Sequence, residues 1–163
     1  MPERPNILVV PTRTAGSEPL VEVLAGRAAR EGACFTLVVP ATPGGIAWAA
    51  DMDAGEDAAR RRLETAVSRY RAAGLPLRDA RVGHPDPLAA TLDAVHFEPF
   101  AEIVVSTPPH YLSAWLRISL PHRVAHATGL PVTHVEAPRT ARAARPTPAR
   151  ARHGLRTISS ARG

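Results

Sequence analysis

Ile103-Val104-Val105 is an apolar run that stops abruptly in a polar loop, Ser106-Thr107-Pro108-Pro109-His110, and this junction constrains the fold more than any other stretch. An apolar run with no alternating polar residues suits a strand buried on both faces. After the loop, Leu112, Trp115 and Leu116 recur at helical spacing, a second helical piece starts at Leu120, and Leu130 to Val135 reads as another short strand. Strand, loop, helix and strand make one βαβ unit. Such a unit needs a right-handed crossover and parallel neighbours, which the rest of the chain is expected to supply.

It supplies them in order. Ile7-Leu8-Val9-Val10 is continuous enough to be the central strand, and the loop Pro11 to Gly16 follows it. Ser17 is the expected N-cap of a first helix, with Glu18 in its first turn and Leu20, Leu24 and Ala28 on its buried face. Phe35 to Val39 forms a second strand, stopped by Pro40. The segment Ala41 to Met52, with Gly44-Gly45 and Trp48, has no periodicity and reads as a long loop. Asp53 and Glu56 suit a capping box for a helix carrying Leu63, Val67 and Tyr70 on one face and ending at Gly74. Leu77 to Val82 alternates weakly, as an edge strand tolerates. Asp86 as N-cap and Pro87 at the first helical position open a third helix, with Leu88, Leu92 and Val95 as its buried face and Pro99 closing it. Strands alternating with helices in this way indicate a parallel α/β sheet.

At 163 residues the chain suits one domain with a substantial core, expected over 1–136 and followed by a tail over 137–163. All the basic residues are arginine. The tail holds Arg139, Arg142, Arg145, Arg150, Arg152, Arg156 and Arg162 and no acid. Of the formal net charge of +5 it therefore supplies seven positive charges, and the body before it is net negative by two. Rich in Pro and Ala and with no apolar face, the tail is expected to be disordered. Two roles stand open for it: a solubilising segment, or a salt-sensitive contact with nucleic acid or an acidic partner. The lone Cys34 excludes an internal disulfide and fits a reducing compartment. No stretch approaches a membrane span and Met1 to Pro5 lacks a signal-peptide apolar region, so a cytoplasmic location is expected.

The layout resembles the universal stress protein family, most closely its divergent actinobacterial-type members, over about the first 136 residues. Gly83-His84-Pro85-Asp86-Pro87-Leu88, Ile103-Val104-Val105-Ser106-Thr107 and Leu130-Pro131-Val132-Thr133-His134-Val135 carry the resemblance. It implies a Rossmann-like three-layer domain, akin to the adenine-nucleotide alpha-hydrolase-like folds, with strand order 3-2-1-4-5. It also implies ATP or another adenine nucleotide as ligand, and dimerisation through the last strand. In such an open sheet the ligand crevice lies beyond the carboxyl ends of the strands, at the switch point between strands one and four. Nucleotide-binding members of the family place a glycine-rich phosphate loop after strand four, a later Gly-Ser pair at a helix start, and an aspartate after strand one. Here Ser106 to Leu112 has no glycine and has two prolines, Ile118-Ser119-Leu120 keeps only the serine, and Pro11-Thr12 replaces the aspartate.

What remains for a nucleotide or anion is a set of hydroxyls and cations: Thr12, Arg13, Thr14, Ser106, Thr107, His110, Ser113 and Ser119. Ser119 reads more simply as a plain N-cap ahead of Leu120-Pro121. Trp48 suits either stacking on a base or packing on its own domain. Trp115 and Cys34 read as packing residues. His122 and His126, four residues apart, suit a solvated helix face better than a metal pair with no third ligand. His84 and His110 read as hydrogen-bonded loop residues or as acid-base groups, and Arg60-Arg61-Arg62 as a solvated face or a phosphate contact. No nucleophile elbow or Walker loop is present. The expected function is a stress-response protein acting by binding a ligand or partner. The alternatives are an interaction module working through the arginine-rich tail, and a hydrolase or transferase using His110.

Overall fold

The computed structural model describes residues 4–42, 52–109 and 114–138, with backbone alone at 52–54 and 114–119. Five parallel strands form one sheet: β1 (Asn6–Pro11), β2 (Cys34–Pro40), β3 (Leu77–Gly83), β4 (Glu102–Thr107) and β5 (Val132–Glu136), in the order β3-β2-β1-β4-β5. Between them run α1 (Glu18–Glu31), α2 (Met52–Ala72), α3 (Pro87–Phe97) and α4 (Ala114–Thr128). The parallel sheet is the one expected from the alternation, and its strand order is the one that the family resemblance implied. Its centre is β1, every residue of which is buried.

The pleat of β1 divides the core. Ile7 and Val9 point to the face covered by α1 and α2, where Leu20, Leu24, Phe35, Leu37, Ala66 and Tyr70 pack. Leu8 and Val10 point to the face covered by α3 and α4, with Val38, Ala90, Ala94, Ile103, Val105 and Val124. Each fully buried aliphatic side chain of this kind contributes about 1.5–3 kcal/mol, so β1 and β4 anchor both layers at once.

Several local expectations are corrected. Ser17 stands at the N-cap of α1 but its side chain caps no amide, and its Oγ is buried without a partner. Asp86 does cap α3, accepting from the Leu88 amide at 3.0 Å. The fully buried residues of α3 are Ala90, Thr91 and Ala94; of the expected face, Leu88 and Val95 pack partly buried against the same core, whereas Leu92 is 38% exposed. Close approach explains the change. A Cβ on Gly83 would lie 2.6 Å from Val38 Cγ1 and 3.0 Å from Ala90 Cβ, so the helix rests on its small residues and its large ones flank the contact. Phe97 is 80% exposed. In β3 a register shift at Phe35/Thr36 breaks the strict alternation, and Leu77, Ala80 and Val82 all pack toward the α1/α2 face. The two helical pieces expected around Leu120 are one helix, with Pro121 inside it. Ser119 is therefore interior to α4 and is not its N-cap. The lost amide hydrogen bond at Pro121 costs stability but does not end the helix. Cys34 is only half-buried. The body reaches past Glu136: Ala137 is buried and its amide donates to Thr107 O at 3.0 Å. No helix among the described residues is long and apolar enough to cross a membrane.

Candidate functional site

The register of the central strands sets the site. Pro11 is paired with Ser106, so the chain leaves β1 and β4 at the same level and the two loops start side by side. The helices that follow return on opposite faces, α1 on one and α4 on the other, which opens the crevice at this point.

The hydroxyl residues singled out from sequence meet here, and they meet each other. Ser106 O accepts twice from Thr12, from its amide at 2.8 Å and from its Oγ1 at 3.1 Å. Thr14 Oγ1 donates to Ser106 Oγ at 2.7 Å. Thr12, Thr14, Ser106 and Thr107 are all buried. Thr107 Oγ1 lies 2.8 Å from His134 Nε2 across the β4–β5 pair, a hydrogen bond in either tautomer of the imidazole. The loops are thus stitched together by their own side chains. Because Oγ of Ser106 accepts from Thr14, its own hydrogen remains able to donate.

Between the two threonines, Arg13 has φ +67° and is the only non-glycine residue with positive φ among the described residues. A side chain in that left-handed region is uncommon, and such outliers gather at ligand sites. The conformation turns the chain sharply, so that Thr12 and Thr14 both bond back to β4 while Arg13, half-buried, sits at the turn. Arg69 of α2 braces the same loop, donating to Gly16 O at 2.6 Å. A further loop bond runs from the Ser17 amide to Thr14 O at 2.9 Å.

Two residues that sequence reasoning left aside therefore belong to this region: His134, read only as part of a strand, and Arg69, to which no role was given. A partial signal exists for His134. It lies on the edge strand paired with β4, two residues before Glu136, which is in register with Thr107. Of the other candidates, His110, Ser113, Trp48 and the side chains of Ser119 and Trp115 lie outside the described residues.

His84 is exposed, and its Nδ1 accepts from the Asp86 amide at 3.0 Å in the turn before α3. Arg60 pairs with Glu56 at 2.9 Å and Asp57 at 3.6 Å on the solvent side of α2. Arg62 donates to Ala58 O and Thr42 O. His122 and His126 are both exposed, and no group of three potential metal ligands occurs among the described residues. At the opposite, amino end of the sheet a polar network joins Asn6, Thr36, Glu98, Arg81 and Asp79. Its role is to satisfy buried groups: Asn6 Nδ2 lies 3.2 Å from Thr36 Oγ1 and 3.3 Å from Glu98 Oε2.

No protein-family model matches the chain, and no curated protein matches its sequence. Solved structures do. A universal stress protein in complex with cAMP is 20% identical, with TM-score 0.56, covering 83% of this chain and 99% of its own. The universal stress protein from Archaeoglobus fulgidus in complex with dAMP is 20% identical, with TM-score 0.58, covering 83% of this chain and all of its own. A universal stress protein family member from Burkholderia pseudomallei is 19% identical, with TM-score 0.59, covering 84% and 99%. The chain has the fold of the universal stress proteins.

Proposed function

We infer that this is a protein of universal stress type that binds an adenine nucleotide in the crevice between β1 and β4 and acts by binding rather than by turnover. One observation carries the reading: Thr12, Arg13, Thr14, Ser106 and Thr107 converge at the topological switch point. Open α/β sheets take their ligands there. Two solved structures of the same fold carry adenine nucleotides, cAMP and dAMP, which supports the ligand class. The proposed roles are distinct. Thr12 and Thr14 hold the loop, Ser106 Oγ donates, and the Arg13 guanidinium faces the phosphate. The family pattern also supports a cytoplasmic stress-response role and a homodimer formed along β5, the strand at one edge of the sheet.

Calorimetric titration of AMP into the full chain tests the ligand. Saturable binding that weakens about tenfold in Arg13→Gly and in Ser106→Ala is expected, a loss of about 1.4 kcal/mol in each. Absence of heat and of thermal stabilisation with AMP and with cAMP would remove the reading.

A further inference from the structure

The β1 loop is one wall of the nucleotide crevice, the reading on which this inference rests, and its two halves are fastened differently. The first half is held by β4, with Thr12 bonded twice to Ser106 O and Thr14 once to Ser106 Oγ. The second half lacks the usual fastening. An N-cap serine ordinarily accepts from the amide of the second or third helical residue. Ser17 caps no amide, and the second helical residue is Pro19, which has no amide hydrogen to give. Gly16, just before the cap, is buried and has no side chain to restrict its own backbone.

The hold on this half comes from another element. Arg69 Nη1 donates to Gly16 O at 2.6 Å, a short charge-assisted bond between residues 53 positions apart. It gives a partner to the carbonyl of a buried residue, which the fold otherwise has to satisfy some other way. The bond starts from a rigid base, because Ala66 and Tyr70 on the same stretch of α2 are fully buried in the core beneath it. The Arg69 side chain itself is exposed, so removing its guanidinium opens no cavity. From Gly16 the hold passes back through the Ser17 amide, which donates to Thr14 O at 2.9 Å, to the turn where Arg13 has φ +67°. A backbone conformation of that kind persists only where its surroundings over-determine it.

We propose that Arg69 is a positioning residue for the crevice: its bond to Gly16 O holds the β1 loop in its left-handed turn and so presets the wall that meets the nucleotide. Arg69 touches no ligand itself. Its contribution is preorganisation, the ordering of the loop before the ligand arrives.

The test is calorimetric titration of AMP into the full chain, comparing the parent with Arg69→Met, Arg69→Lys and Arg60→Met. Methionine keeps the apolar stem and removes the donor, and lysine keeps a charged donor. Arg60, paired with Glu56 and Asp57 on the same helix, controls for the lost charge. Arg69→Met is expected to bind AMP about tenfold more weakly, Arg69→Lys to recover most of that loss, and Arg60→Met to match the parent. In unliganded Arg69→Met the backbone amide resonances of Thr12, Arg13 and Thr14 are expected to move, while the urea midpoint stays near the parent's. Parent-like affinity in Arg69→Met would overturn the proposal and leave the nucleotide reading standing, as would an equal loss in Arg60→Met. Weaker binding with unmoved loop amides and a flatter salt dependence would also overturn it, by making Arg69 a direct phosphate contact. Failure of the parent to bind AMP or cAMP would overturn the nucleotide reading and this proposal with it.

Discussion

Thr14→Val removes one hydroxyl from the join between the two loops and almost nothing else, because valine matches threonine in volume. Thr14 is fully buried and its Oγ1 donates to Ser106 Oγ at 2.7 Å. The direct loss of a neutral hydrogen bond is about 1 kcal/mol, and leaving the buried Ser106 hydroxyl short of a partner adds a desolvation cost in the range of ~1–3 kcal/mol. A destabilisation of about 2 kcal/mol follows. For a chain of this size that corresponds to a fall in Tm of about 4–8 °C. Ser106→Ala alone is expected to cost a similar amount, since it strands the Thr14 hydroxyl. The double variant removes donor and acceptor together. It should be less destabilised than the sum of the two singles by at least ~0.5 kcal/mol. Urea denaturation of the four proteins at a common slope measures this. Single variants within ~0.5 kcal/mol of the parent, or strictly additive ones, would refute the claim that these hydroxyls join the loops.

Tyr70→Phe should not destabilise, contrary to the usual outcome for a large buried residue. The Tyr70 hydroxyl is buried without a partner, so its removal is expected to stabilise by ~1 kcal/mol, read by urea denaturation at neutral pH. Burial also holds the phenol above its ordinary pKa of 10.0. The unfolded chain therefore ionises first as pH rises, and the stability tied to the protonated phenol, intact below pH 10, declines above it. The phenylalanine variant should show a smaller alkaline loss in thermal melts across this window. Gly83→Ala is expected to cost about 1–3 kcal/mol by overpacking against Val38 and Ala90, with no backbone penalty at that residue. A Tm equal to the parent's would contradict the close packing of α3 on β2. Arg13→Gly should separate stability from binding: glycine accepts φ +67° freely, so the melt is expected to hold or rise while AMP affinity falls about tenfold. A parallel loss of stability and affinity would mean that Arg13 serves the fold instead.

The parts of the fold legible from sequence were those written as unbroken patterns. The apolar runs of β1 and β4 have no polar residue to place on an outer face, so only a central parallel position suits them, and they occupy it. Asp86-Pro87 likewise announced the start of α3, because an Asx cap followed by proline has few other uses. Where packing overrode pattern, sequence failed. The closest contact of α3 with the sheet follows Gly83, a residue distant in the chain whose missing side chain admits Ala90, and no periodicity within the helix reports that. In β3 the register shift hides the true alternation of Leu77, Ala80 and Val82. Ser119 looked like a cap because a proline follows two residues later, yet α4 runs through Pro121. At the crevice, the residue types of Thr12, Arg13, Thr14, Ser106 and Thr107 were readable, as was their place beyond the strand ends. Their pairing was not, since it depends on Pro11 and Ser106 sharing a register. The brace from Arg69 and the contact from His134 come from other elements and carry no local signal.

The central claim is that the β1–β4 crevice holds the nucleotide, and the most direct measurement is a backbone amide NMR titration of the full chain with AMP. The account predicts saturable shifts concentrated at Thr12, Arg13, Thr14 and Thr107. Asn6 and Glu98, at the opposite end of the sheet, should stay unmoved. Shifts clustered at that opposite end or in the arginine-rich segment beyond Pro138, with the crevice amides silent, would contradict it.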